Sequence, residues 1–171
     1  MKKEFDEILQ NTFPWLKRPE IKRDADWQCQ NGYTLYENYG FELSDGWFQI
    51  LYDLNKEIEE RFKQAGKPVD ITVQQVKTKW GHLCYYYNTP NDSNPIQVFD
   101  GIGGNGIRFY PKSDEGDTLY DDIAQIVHKY EREISINTCE WCGKPGSLRK
   151  ESWVYTLCDE CYHKYLEKKK K

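Results

Sequence analysis

The chain has 171 residues, enough to bury one hydrophobic core and carry a small appended module. Its hydrophobic fraction is 38% and no apolar run approaches the length needed to cross a bilayer, which excludes an inserted membrane protein. A formal charge of −4 speaks against strong sequence-independent DNA binding, because such binding rests on many Lys and Arg neutralising phosphates.

The opening segment EFDEILQNTFPWL places Phe5, Ile8 and Leu9 on one helical face before Pro14 interrupts the pattern, so a short helix is expected. The stretch KRPEIKRDADWQCQNG is polar and reads as a loop. Tyr33, Leu35 and Tyr39 alternate only in part, leaving a short strand and an ordered loop both open. A long helix is expected after Ser44 or Asp45, either of which can cap the free N–H groups of the first turn. Trp47, Ile50, Leu51, Leu54, Ile58 and Phe62 then recur at helical spacings, and Gly66 and Pro68 stop the pattern.

From Ile71 the period changes. ITVQQVKTKWGHLCYYY is rich in β-branched and aromatic residues, and reads as two strands or as one strand bulged at Gly81. After TPNDSNP, the runs IQVF and IRFYP joined by DGIGGNG predict a hairpin; no Lys-Ser/Thr pair follows those glycines, so they do not form a phosphate loop. A second core helix is expected from Asp117-Thr118, with Thr118 and Asp121 approximating a capping box and Leu119, Ile123, Ile126, Val127, Tyr130 and Ile134 as its buried stripe.

That helix runs almost directly into Cys139-x2-Cys142 and Cys158-x2-Cys161, with fifteen residues between the pairs. Two residues between paired cysteines let a tight turn aim both sulfurs at one point, and two such turns complete a four-thiolate tetrahedron. One structural zinc ion is the expectation. The disulfide alternative needs an oxidising compartment, and MKKEFDEILQ offers no apolar signal segment. The short connection predicts a module docked on the helix rather than hung on a linker. From residue 139 onward eight basic residues face five acidic ones, so this end carries +3 and residues 1–138 carry −7. The expected architecture is α+β, two main helices on a small, mostly antiparallel sheet over residues 1–137. Residues 138–171 follow as a zinc ribbon whose lysine tail, Lys168 to Lys171, is solvated.

Three strings, YGFELSDGWFQILYDL (39–54), VQQVKTKWGHLCYYY (73–87) and TCEWCGKPGSLR with SWVYTLCDECY (138–149 and 152–162), resemble a family of small uncharacterised proteins of bacteriophages and prophages. The family pattern is a Gly-Phe-Glu, Asp-Gly-Trp-Phe helix start, a Val-Lys-x-Lys-aromatic-Gly strand motif and a terminal zinc ribbon. Trp80 stands where the family more often has Phe, and Cys161 where many members have His; either ligand suits zinc. The resemblance implies a phage gene product acting in the bacterial host cytoplasm and supplies no catalytic residue.

Three functional readings follow. A non-enzymatic binding protein acting on a host protein is favoured, with the acidic residues 1–138 suited to a basic host surface and Trp15, Trp27 and Trp153 as candidate anchors. The alternative is a nucleotide or single-stranded nucleic-acid binder, in which Lys77, Lys79, Trp80, His82, Tyr85 and Tyr87 combine positive charge with flat aromatic faces. Strand alternation works against one compact site there unless Gly81 bulges. An enzyme is the weakest reading, because His82, His128 and His163 show no acid partner in the sequence and four cysteines saturate the metal. Cys84 reads as a buried small hydrophobe and Cys29 as a loop thiol.

Overall fold

The computed structural model describes residues 1–21, 32–90 and 118–169, together with the backbone of 98–99 and 107–108. Trp27, Cys29, Asp117 and the tail residues Lys170 and Lys171 lie outside the described residues.

The helix expected after Asp45 is α3 (Phe48–Gln64), with Ile50, Leu51, Leu54, Ile58 and Phe62 all buried. Its entry is a 3-10 turn, Asp45–Trp47, in which Ser44 makes no side-chain cap. Asp45 is not a cap either: its carboxylate accepts from the Lys2 backbone N–H at 2.7 Å and so ties down the start of α1 (Lys3–Thr12). Phe5 of α1 stacks on Phe48 at 4.4 Å between centroids and Leu9 is buried, whereas Ile8 is 44% exposed. The buried face of α1 therefore runs through Phe5, Leu9 and Phe13 at i, i+4 spacing, leaving Ile8 beside it.

Residues 35–39 are neither strand nor loop but a short helix, α2 (Leu35–Tyr39). The Thr34 hydroxyl accepts from Glu37 N at 3.0 Å and the Glu37 carboxylate accepts from Thr34 N at 2.7 Å, a complete capping box. That local pairing satisfies two helix-end donors, which the partial alternation of Tyr33, Leu35 and Tyr39 does not outweigh.

A three-stranded sheet follows in the order β1-β2-β3: β1 (Phe41–Glu42) runs parallel to β2 (Thr72–Lys79), and β3 (His82–Asn88) antiparallel to it. Of the two readings of this segment, the hairpin holds. Its bulge falls between Val73 and Gln75 rather than at Gly81. Trp80 and Gly81 form the turn with φ of +53° and +74°, the left-handed pair that a tight two-residue hairpin requires. Val76, Leu83, Tyr85 and Tyr87 bury the inner face against α3 and α4 (Leu119–Lys129). The short hairpin of β4 (Val98–Phe99) and β5 (Ile107–Arg108) pairs antiparallel, with Phe99 opposite Ile107.

The Thr118–Asp121 capping box is not formed; the Thr118 hydroxyl donates to Asp122 instead, at 3.2 Å. Beyond α4 the helix widens into a π turn, Tyr130–Ile134, and tightens into a 3-10 turn, Ser135–Asn137. This irregular stretch covers the outer edge of β3. Tyr85 N donates to the buried Glu131 carboxylate at 2.6 Å, and Leu83 N donates to the Ser135 hydroxyl at 3.1 Å. Side chains thus occupy ladder positions that would otherwise invite another strand.

The C-terminal module contains the antiparallel pair β6 (Ser147–Lys150) and β7 (Val154–Leu157) and closes on α5 (Asp159–Lys169). The whole is an α+β chain with a small, mostly antiparallel sheet and a terminal cysteine module. Among the described residues no helix is long and apolar enough to cross a membrane.

Candidate metal centre and binding surfaces

Cys139, Cys142, Cys158 and Cys161 converge so that their sulfurs lie within 4.8 Å of one another. The first pair sits on a knuckle in which Gly143 N donates to Cys139 O at 2.9 Å and Cys139 N donates to Lys144 O at 2.8 Å. Cys158 immediately precedes α5 and Cys161 lies in its first turn, with Cys161 N pointing at Cys158 Sγ at 3.5 Å. Cys142 Sγ and Cys158 Sγ are 3.6 Å apart. That is far beyond a disulfide bond and close to the edge of about 3.8 Å expected for a tetrahedron with arms of about 2.3 Å.

Without a cation these sulfurs compete. The Cys161 N–H holds Cys158 below the usual thiol range, while burial pushes Cys161 and Cys142 up. A metal resolves the conflict by binding all four as thiolates. The four cysteines can therefore hold a metal ion, and no coordination position is left open for a substrate.

The knuckle rests directly on the main domain. A Cβ at Gly46 would lie 2.4 Å from Cys139 O and 2.6 Å from both Cys142 N and Glu140 O, so only glycine admits this approach. Gly46 N donates to Glu140 O at 2.8 Å, and Trp47 Nε1 donates to Thr138 O at 2.7 Å. On the other side the Thr156 hydroxyl donates to Gly81 O at 2.6 Å, and a Cβ at Gly81 would meet Leu148 Cδ1 at 2.6 Å. The module is clamped between the α3 entry turn and the tip of the β2–β3 hairpin, not on α4 alone. Glu140 completes the clamp: its buried carboxylate accepts from Thr156 N at 2.7 Å, and burial raises its pKa to about 7.

The six residues of the candidate nucleotide segment are divided by the sheet. Tyr85 and Tyr87 are 0% and 1% exposed in the main core, which corrects their assignment as ligand-stacking rings. Tyr85 instead donates its hydroxyl to Asn55 Oδ1 at 2.9 Å, and burial pushes its pKa well up. Alternation in β2 and β3 sets Lys77, Lys79, His82 and Cys84 on the outer face, where Lys77 Nζ lies 5.5 Å from the Tyr86 ring. Cys84 is buried, as expected, and His82 is buried too. Trp80 projects from the turn at 43% exposure.

Sequence spacing missed a second aromatic group on the module. Trp141, Tyr155 and Tyr165 are partly exposed and meet pairwise at centroid distances of 5.4 to 6.4 Å with interplanar angles of 62° to 69°. Lys168 Nζ lies 5.5 Å from the Trp141 ring and Lys169 Nζ 5.5 Å from the Tyr165 ring. The signal was present as Tyr162-x2-Tyr165 and the following lysines along α5, but Trp141 and Tyr155 join it only through the fold. Searches of protein-family models, of curated proteins and of solved structures find no match to this chain.

Proposed function

We propose that this is a non-enzymatic, zinc-containing binding protein of bacteriophage type that acts on a host protein in the bacterial cytoplasm. The observation that carries the reading is Trp80. It is a bulky residue at φ +53° in a turn where Asn or Gly is ordinarily preferred, and it is 43% exposed. Strain kept on an exposed ring points to a role in contact with something else. Leu148 lies against the same turn at 42% exposure, and Trp153 follows on the same module at 61%. Trp80 and Leu148 thus put exposed apolar side chains at the turn on which the module docks, and tryptophan is a residue type that anchors protein interfaces.

The net charge of residues 1–138, −7, supports a basic partner. Zinc is the metal whose chemistry suits four thiolates in a closed tetrahedron, and the resemblance of the three sequence strings supports the phage setting. The test is capture from bacterial lysate by the immobilised protein, compared with a Trp80→Asn variant. A host protein held by the parent and lost by the variant is expected. Capture that is indifferent to Trp80 would refute the assignment, and native mass spectrometry showing no zinc would refute the metal.

A further inference from the structure

We infer that the belt of Trp141, Tyr155 and Tyr165 with Lys168 and Lys169 is a site for single-stranded nucleic acid. The first argument is charge. Lys144 and Lys164 share Glu160 and Arg149 pairs with Asp159, so three of the four other described cations of the module, Lys150 excepted, are held in ion pairs. Lys168 and Lys169 have no carboxylate partner among the described residues; their ammonium groups lie over aromatic faces. They belong to the one end of the chain with a positive balance, +3 from residue 139 onward by side-chain count and +1 with a zinc ion held by four thiolates, against −7 before it. An anionic strand is drawn to this end and repelled by the rest.

The second argument is the rings. Packing on the cysteine cluster holds Trp141, Tyr155 and Tyr165 at fixed angles, yet each remains partly exposed, unlike the tyrosines of the main core. Two cation–ring pairs stand side by side, with Trp141 and Tyr165 6.4 Å apart between centroids. When a strand arrives, each ammonium exchanges its ring for a phosphate and a base takes the ring face, at a stacking gain of about 1–3 kcal/mol per base. A duplex cannot make this exchange, because its bases are already stacked and paired. The inference is independent of the protein-partner reading, which uses Trp80, Leu148 and Trp153.

The test is fluorescence anisotropy of the full zinc-loaded chain with a labelled oligothymidylate of about 12 nucleotides, titrated over a range of salt. Binding with a Kd on the order of 10 µM at low salt is expected, and a duplex of equal length should bind several-fold more weakly. Lys168→Glu with Lys169→Glu, both exposed and far from the core, should weaken binding about tenfold or more and lower the log–log salt slope by about 1.4, two single-strand phosphate contacts. Tyr165→Leu keeps the apolar bulk and should weaken binding several-fold while zinc content and thermal melting hold. Absence of binding by the parent, unchanged affinity in the lysine variant or in Tyr165→Leu, or equal affinity for duplex would each overturn the proposal.

Discussion

Gly46 shows how much can rest on a missing side chain. Its Cα faces three backbone atoms of the cysteine knuckle, none of which can swing aside as a flexible side chain would. Gly46→Ala should therefore cost about 1–3 kcal/mol, the usual penalty of forcing extra volume into a packed contact, as read by urea denaturation of the zinc-loaded protein. Glu131 is the converse, a buried carboxylate that accepts from a backbone donor of β3. Glu131→Ala strands Tyr85 N in the core and should cost about 1–3 kcal/mol, whereas Glu131→Gln keeps an acceptor oxygen and should cost less. Equal losses for the two variants would show that the hydrogen bond is not the reason. Asn55 joins three parts of the chain by holding Leu51 O, the Trp15 indole and the Tyr85 hydroxyl. The Asn55 amide is tolerated at such depth because both its nitrogen and its oxygen have partners.

At the scale of elements, the β2–β3 turn sets stability against function. Asn is among the few non-glycine residues that accept a left-handed backbone readily, so Trp80→Asn should raise stability by about 1 kcal/mol even as it removes the proposed anchor. A thermal melt settles the first half and lysate capture the second; loss of stability in the variant would mean that Trp80 is a packing residue. The α2 cap makes a simpler prediction. Thr34→Ala removes the acceptor for Glu37 N and should cost about 1 kcal/mol, visible as faster amide exchange confined to residues 35–39.

At the scale of the whole molecule, the proposed metal is expected to decide whether the C-terminal module stays folded. Its own buried apolar residues are Leu157 and three of the ligand cysteines, Cys139, Cys158 and Cys161, too few to hold 30 or so residues folded without a cation. Removing the proposed zinc should cost the module on the order of 10 kcal/mol, and Cys139→Ser should act in the same direction. Limited proteolysis after chelation should cut within residues 138–169 and spare α3, whose core is closed by α1, the sheet and α4. Cleavage spread evenly over the chain would show instead that the clamp on Gly46 and Gly81 is needed by the main domain as well.

Periodicity alone determined α3 and α4, because a stripe of large apolar residues at spacings of three and four has few other ways to be buried. Cysteine spacing alone determined the cluster, because two short turns aim four sulfurs at one point with little help from elsewhere. The pairing of β2 with β3 was legible in the change of period at Ile71, but the position of the bulge was not; the shift between Val73 and Gln75 is what lets Val73 and Val76, three residues apart, both face the core. Tertiary structure decided the rest. Whether a tyrosine is core or surface depends on which face of the strand it occupies, and a run of three offers both: Tyr85 and Tyr87 turned inward while Tyr86 shares the outer face with Lys77. The same holds for the basic aromatic surface, assembled on the module from Trp141, Tyr155 and Tyr165. These residues come from separate turns, strands and helices, and only closure of the four-cysteine module brings their rings into contact.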